Sequence, residues 1–460
     1  MKIIWTSRSL SEALQVEVPH DIQTSILQFN SKDVNEGDLF IALMGQSDGH
    51  LYAKDALLRG AAAIIIDHEV DDIDKSKVIM VKDTEAALLD LAKYKRNHSK
   101  AKFIAVTGSA GKTSTKDAIY KILQKFGQSF ASRGTFNNHL GVPLNLASIP
   151  DDTEYAILEI GMNNPGEITP LSILTKPDIA IITNVLPVHL GQFSSLRDIA
   201  DAKCEIFAGM EQGGVEQGGI VLLNKGNEFY EYCASEAGSH NIYSFGAAEG
   251  ADARLASYSF DGTESHLEFL VLGKKVEAST KLAGKHMAEN LAAGLMVAEI
   301  WKLDLDKAAI AISELSPLKG RGEILHIKIS GHNCDIIYDC YNANPSSVQS
   351  ALMHMKDVNH ENKIVILGDM LELGTDAAEY HKALAPFVIA SGARTLYTVG
   401  DLMHNLHRDL KNTIKCKHFT NSEDLQQSFP ELVNQDSLIL FKASKSMKLS
   451  NVVEDLSLKD

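Results

Sequence analysis

The chain lacks the features that would place it outside a reducing, aqueous compartment. Its five cysteines, Cys204, Cys233, Cys334, Cys340 and Cys416, form no Cys-x-x-Cys pair and are odd in number. A disulfide framework or a zinc site is therefore not expected, and reduced thiols in a cytoplasm fit best. No stretch approaches the ~20 apolar residues that span a bilayer. The N-terminal MKIIWTSRSLSEAL has no long apolar core ahead of a cleavage site, so neither a signal peptide nor an integral membrane segment is expected. Basic residues are outnumbered, 44 Lys and Arg against 60 Asp and Glu, for a formal charge of −16. That balance argues against a general nucleic-acid or anionic-membrane surface, although a local basic site can coexist with it. Repeats and low-complexity tracts are missing too.

What is present is 460 residues, too many for one core, with 45% apolar and 23% charged residues. Length and composition suggest a globular chain of about three domains. Over residues 1–98 short strands are expected at 38–43 and 62–67, with helices at 52–59 and 84–98. From 99 to 315 the β-rich runs 155–160, 179–183 and 219–224 alternate with helical segments, which predicts a mostly parallel sheet. Asp261-Gly262 and Gly273-Lys274 punctuate 252–280 as antiparallel hairpins at a sheet edge. After Pro317, Gly320 and Gly322, strands at 335–340, 363–367, 395–399 and 437–441 predict a third, Rossmann-like unit over 316–460. The expected class is α/β with three domains.

The most informative stretch is KFIAVTGSAGKTST, residues 102–115. An apolar strand breaks into a glycine-bounded loop (Gly108, Ser109, Ala110, Gly111), followed by Lys112, Thr113 and Ser114 opening a helix predicted over 112–126. Such a loop directs backbone N–H groups, a helix N-terminus and a lysine toward a polyphosphate. The Gly-x-x-Gly-Lys-Thr spacing is two residues shorter than the usual pattern. The central unit therefore binds a nucleoside triphosphate.

Three ionisable residues fall near that loop. Glu159 ends the strand YAILE, where a carboxylate can meet a metal beside phosphate. His189 follows IAIITN in a loop, where histidines are more often structural than ligating. Lys203 lies on the apolar stripe of 196–207, with Ile199, Ile206 and Phe207. Two readings of Lys203 stay open: a stem packed with its ammonium snorkelling to water, or a buried neutral amine able to take up CO₂ as a carbamate. Further along, His286 and Asn290 share a helix face, Arg321 stands between glycines, Asp339 ends a strand, and Asn342-Ala343-Asn344-Pro345 opens a helix. Together they suggest two domains clamping one nucleotide.

These residues resemble those of the Mur ligases along essentially the whole chain. TGSAGKTSTKD is similar to the family's short phosphate loop, and RGTFNNHLGVPL to a stretch typical of the dipeptide-adding branch. LEIGMNNPGEI, ITNVLPVHLGQF, DAKCEIF, DCYNANPSS, ILGDMLELG and KASKSMKLS follow in the expected order. The resemblance implies a UDP-sugar-binding domain over 1–98, a central ATP-binding domain over 99–315 and a Rossmann-like domain over 316–460. It implies Mg²⁺ on Thr113 and Glu159, a second Mg²⁺ on His189, and a carbamylated Lys203. Lys112, His189 and Lys203 are the catalytic residues it implies. Asn290, Arg321 and Asp339 fall on the nucleotide side, and Ser31, Asn137, Asn138, Asn342 and Asn344 near the substrates. Asn30-Ser31-Lys32 departs from the Asp-Ser-Arg or Asp-Thr-Arg expected near uridine, and KASK from the commoner Lys-Gly-Ser-Arg. The implied activity is ATP-driven ligation of D-alanyl-D-alanine to UDP-N-acetylmuramoyl-tripeptide through an acyl phosphate, by a cytoplasmic monomer. A sister ligase adding one amino acid, or glutamate to folate, is the nearest alternative. A regulatory ATP-binding module is another.

Overall fold

The structure, a computed structural model, describes residues 2–19, 21–45, 47–134, 136–188, 191–210 and 218–459. Its three main sheets follow one another along the chain. The first is small and all parallel: Leu27–Gln28, Leu39–Ile41, Ala63–Ile66 and Val78–Met80, in that order. It is fastened to the second unit by hydrogen bonds, one buried and one part-buried. Trp5 Nε1 donates to the Ala147 carbonyl at 2.8 Å, and an Arg133 guanidinium nitrogen donates to the Leu27 carbonyl at 2.9 Å.

The second sheet has nine strands, and its centre is Lys102–Thr107. Alternation along this strand decides its packing. Ile104 and Val106 pack toward Ile119, Ile122 and Leu291, while Phe103 and Ala105 pack toward Leu158, Ile182 and Ile199. Both faces are therefore covered, which is why the strand reads as a continuous apolar run. Burying each large side chain contributes about 1.5–3 kcal/mol. Tyr155–Glu159 pairs with one edge of this strand and Ile179–Ile182 with the other, both in parallel. Strand order thus reverses at Lys102–Thr107, and the loop after it opens into the crevice where such sheets take ligands.

The hairpins expected at 252–280 are Ala253–Phe260, Ser265–Val271 and Lys274–Thr280, antiparallel at the sheet edge. Asn241–Gly246 and Ser129–Ala131 also join this sheet. Neither stands out in the sequence, because both are only partly buried and carry no sustained apolar run. The helix predicted over 112–126 ends earlier, at Leu123.

The third sheet runs Glu323–Ile329, His332–Asp339, Ser437–Lys442, Lys363–Gly368, Thr395–Val399, Lys415–Phe419. Its first pair is antiparallel and the remainder are parallel. Asp339 pairs in register with Lys442, so two opposite charges meet at the ends of adjacent strands. No described helix is long and apolar enough to cross a membrane.

Candidate active site

Backbone conformation builds the phosphate loop. Gly108 has φ 149° and Gly111 has φ 80°, in the region that favours glycine. Gly111 is the N-cap of helix Lys112–Leu123, so the first N–H groups of that helix face the loop. A Cβ on Gly108 would stand 1.8 Å from Thr183 Oγ1, and one on Gly111 2.8 Å from Asn290 Nδ2. Neighbouring residues hold the loop from behind. Thr183 Oγ1 donates to the Ala110 carbonyl at 2.6 Å, and Asn184 Oδ1 accepts from Ala110 N at 2.8 Å. Lys112 folds over the loop and donates to the Gly108 carbonyl at 2.6 Å.

Gly108→Ala is accordingly expected to weaken ATP binding at least tenfold and cost about 1–3 kcal/mol of stability. Removing the Thr183 hydroxyl as well should recover part of both losses. Calorimetric ATP titration together with thermal melting checks this, and unchanged binding in Gly108→Ala would contradict it.

The loop meets a buried carboxylate. Thr113 Oγ1 donates to Glu159 Oε2 at 2.8 Å, and Asn137 Nδ2 donates to Oε1 at 2.7 Å. Glu159 is 2% exposed, yet its described partners are neutral donors and no described cation lies in ion-pair contact. A buried carboxylate bonded to no described cation, with the Lys112 charge nearby, suits a divalent cation, and hydroxyl and carboxylate oxygens are the donors that Mg²⁺ prefers. The residues therefore fit the metal.

Lys203 sits on helix Leu196–Cys204 and is 2% exposed. This excludes snorkelling. Among the described residues no hydrogen bond or ion pair reaches its amine. Burial, and then the nearby Lys112 charge, hold it well below the usual lysine range, against weaker opposing effects of Cys233 and Cys204. The neutral amine that reacts with CO₂ is thus favoured at far lower pH than in a free lysine. His189 lies outside the described residues.

The opposite wall comes from the third unit. A cleft of about 660 Å³ is lined on one side by Ser109 to Ser114, Asn137, Glu159 and Asn290. Arg321, Asp339, Asn342 and Asn344 line the other side. The Arg321 guanidinium lies 3.8 Å from the centre of the Tyr341 ring, a cation–π contact that parks it at the rim. Lys442, 2% exposed, donates to Asp339 Oδ2 at 2.7 Å and to the Asn342 carbonyl at 3.1 Å. A second cleft of about 560 Å³ shares Ser109, Lys112, Asn342 and Asn344, and continues to Leu371, Ser444 and Lys445.

Not every expected residue faces these clefts. Asn138 Oδ1 accepts from Gly141 N at 2.9 Å, capping the turn into helix Gly141–Ala147, and lines neither cleft. Its role here is to shape the loop that presents Asn137. Asn344 lines both clefts, but its side chain accepts from Ser347 N in a capping box before Pro345. Ser31 is buried in the first unit, where its hydroxyl bonds Asp55, and it too lines neither cleft. Sequence reasoning missed Asn184, Asn227, Tyr341 and Lys442. Only Asn184 and Lys442 carried a signal, each being a polar residue at the end of an apolar strand.

Residues 106–298 match the family described as Mur ligase middle domain, and residues 320–445 that described as Mur ligase, glutamate ligase domain. The chain is 42% identical to the UDP-N-acetylmuramoyl-tripeptide--D-alanyl-D-alanine ligase of Rickettsia prowazekii over 98% of this chain and 99% of that protein. It is 33% identical to the ligase of the same name in Bacillus subtilis, over 93% and 92%. A crystal structure of MurF from Acinetobacter baumannii superposes with a TM-score of 0.84 at 26% identity, covering 98% of each chain. MurF from Thermotoga maritima in complex with ADP gives 0.77 at 25% identity, over 95% and 99%.

Proposed function

This chain belongs to the Mur ligase family, and on that premise we propose that it joins D-alanyl-D-alanine to UDP-N-acetylmuramoyl-tripeptide at the expense of ATP. The carrying observation is the convergence on Glu159 of Thr113 from the phosphate loop and Asn137 from the asparagine-rich loop. The relatives named for this reaction are 42% and 33% identical over nearly their whole length, against 17% for a solved sister ligase, which favours it over a sister ligase.

In this reading the tripeptide carboxylate attacks the γ-phosphorus, ADP leaves, and an acyl phosphate forms. The D-alanyl-D-alanine amine then attacks the acyl carbon and phosphate departs. Phosphoryl transfer of this kind depends mostly on positioning and charge neutralisation. The loop N–H groups and Lys112 bind the phosphates, with Lys112 turning from the Gly108 carbonyl to do so. Thr113 and Glu159 would hold one Mg²⁺, and His189 with a Lys203 carbamate a second, supplying positive charge where two anions must meet. Lys203 becomes anionic when its neutral amine adds CO₂ and releases a proton to solvent.

Asn290 and Asp339, which line the same cleft, would contact the nucleotide, and Arg321 would leave the Tyr341 ring for a phosphate as the third unit closes. Closure excludes water from the acyl phosphate. The second cleft, with Ser444 and Lys445, adjoins the phosphate loop and offers the acceptor a place. Ser31, buried in the first unit, would lie near the UDP-sugar.

The test is phosphate release with UDP-muramoyl-tripeptide as donor. D-alanyl-D-alanine should stimulate it at least a hundredfold over single L-amino acids. Stimulation only by an L-amino acid would establish the sister-ligase reading instead. ATP binding without acceptor-dependent release would establish a regulatory module.

A further inference from the structure

Away from both clefts, the first unit gathers a set of donors within the stretch GDLFIALMGQSDGH, which resembles the family's UDP-sugar-holding part, and the loop beside it. Its parallel strands deliver their following loops to one end of the sheet. The loop after Ile41 carries Asp48 and His50, and the loop after Ile66 carries Asp67 and His68. One donor atom from each of Asp48, His50 and His68 lies within 4.8 Å of the others. The His50 side chain is 3% exposed and that of His68 54%. The two imidazoles overlap, with ring centres 3.7 Å apart and planes 31° from parallel.

Asp67 stands behind both rings. Its Oδ1 is 3.2 Å from His50 Nε2 and 2.7 Å from His68 Nδ1. The other nitrogens, His50 Nδ1 and His68 Nε2, then face Asp48, at 2.7 and 3.8 Å from its two oxygens. A carboxylate on the outer nitrogen of a ligating histidine fixes the ring's orientation and tautomer. Here one carboxylate does so for two histidines. The competing arrangement is purely hydrogen-bonded: His50 Nδ1–H donates to Asp48, and Nε2 accepts from Asp67 N at 3.2 Å. For His68 the metal-free counterpart is an imidazolium held between Asp67 at 2.7 Å and Asp48 at 3.8 Å, and metal titration separates the two arrangements.

We propose that Asp48, His50 and His68 bind one divalent transition-metal ion of the Zn²⁺ class, pinning residues 48–50 to residues 67–68. The expectation of no zinc site rested on cysteine, and this donor set contains none. Two imidazoles and a carboxylate suit Zn²⁺, Co²⁺ or Ni²⁺ better than Mg²⁺. Binding uses the His50 tautomer with hydrogen on Nε2, which donates to Asp67 Oδ1, and requires the Asp67 N–H, now donating to that nitrogen, to turn to another acceptor. Donors at about 2 Å from a tetrahedral ion lie roughly 3 Å apart, so a small turn of the exposed His68 ring completes the site. Three protein ligands leave the fourth position to water.

The test uses the full-length protein, stripped with a chelator and titrated with Co²⁺, then Zn²⁺, in excess Mg²⁺. One equivalent of Co²⁺ should give the visible absorption of a four-coordinate ion, and Zn²⁺ should displace it. His68→Ala and Asp48→Asn should weaken binding at least a hundredfold, and Asp67→Asn ten- to a hundredfold. His407→Ala should leave it unchanged, since His407 belongs to a separate imidazole group with His404 and His418. Thermal melting confirms that each variant is folded. Absence of stoichiometric uptake, full uptake by His68→Ala, or loss of uptake in His407→Ala would each overturn the proposal.

Discussion

Lys203→Met is expected to lose on the order of 10²–10³-fold in turnover while keeping its fold and its affinity for ATP. Methionine reproduces the length and volume of the buried stem but cannot add CO₂. Lys203 is 2% exposed, so a side chain of the same length and volume keeps the packing around its stem. The variant should therefore melt at the wild-type temperature or slightly above, since a desolvated amine is itself costly. Phosphate release measured alongside a melting curve separates loss of chemistry from loss of structure. Wild-type enzyme in CO₂-depleted buffer should show a partial loss that bicarbonate restores, and Lys203→Met should not respond. The sign follows from the direction of the pKa shift. Burial and Lys112 hold the amine low, so the form that captures CO₂ persists below the ordinary lysine range. Full turnover by Lys203→Met would remove the carbamate from the mechanism.

Glu159→Gln is the second large effect. Glutamine keeps the shape and can still meet Thr113 and Asn137, which approach the carboxylate at 2.8 and 2.7 Å. It removes only the charge. If that charge holds Mg²⁺ beside the phosphates, turnover should fall about 10²–10³-fold. The Mg²⁺ concentration for half-maximal activity should rise with it. Asn137→Ala, which leaves the charge in place, should cost closer to tenfold. Steady-state phosphate release across a Mg²⁺ series distinguishes the two variants. An unaltered Mg²⁺ dependence in Glu159→Gln would mean that the carboxylate only braces the loop.

Both experiments address residues that the sequence singled out for different reasons. Glu159 was legible because an acidic residue ends an apolar strand, a position that always opens onto the ligand side of a parallel sheet. Lys203 was legible as a charge on an apolar helical stripe, but the sequence left its burial undecided between two readings. Packing settled that point, because Ile199, Ala200, Ala202 and Cys204 are buried with it. Asn138 shows the reverse case. It stands next to Asn137 in the chain, yet the turn into Gly141–Ala147 takes its side chain for a cap. Adjacency gave the pair one chemistry, and backbone geometry divided it.

By itself the sequence determined whatever is local. A strand, glycine loop, lysine and helix occur within fourteen consecutive residues, so the phosphate cradle needs no distant partner to be recognised. Alternation and apolar runs likewise set the three α/β units, because side-chain period follows directly from backbone geometry. Only the tertiary structure decided what stands opposite. Arg321 on the Tyr341 ring, Lys442 paired with Asp339, Asn184 behind Ala110, and two histidines sharing Asp67 all join segments remote in sequence. Such pairings depend on strand register and on how sheets pack, so the sequence could single out Arg321 and Asp339 but not the residues they meet.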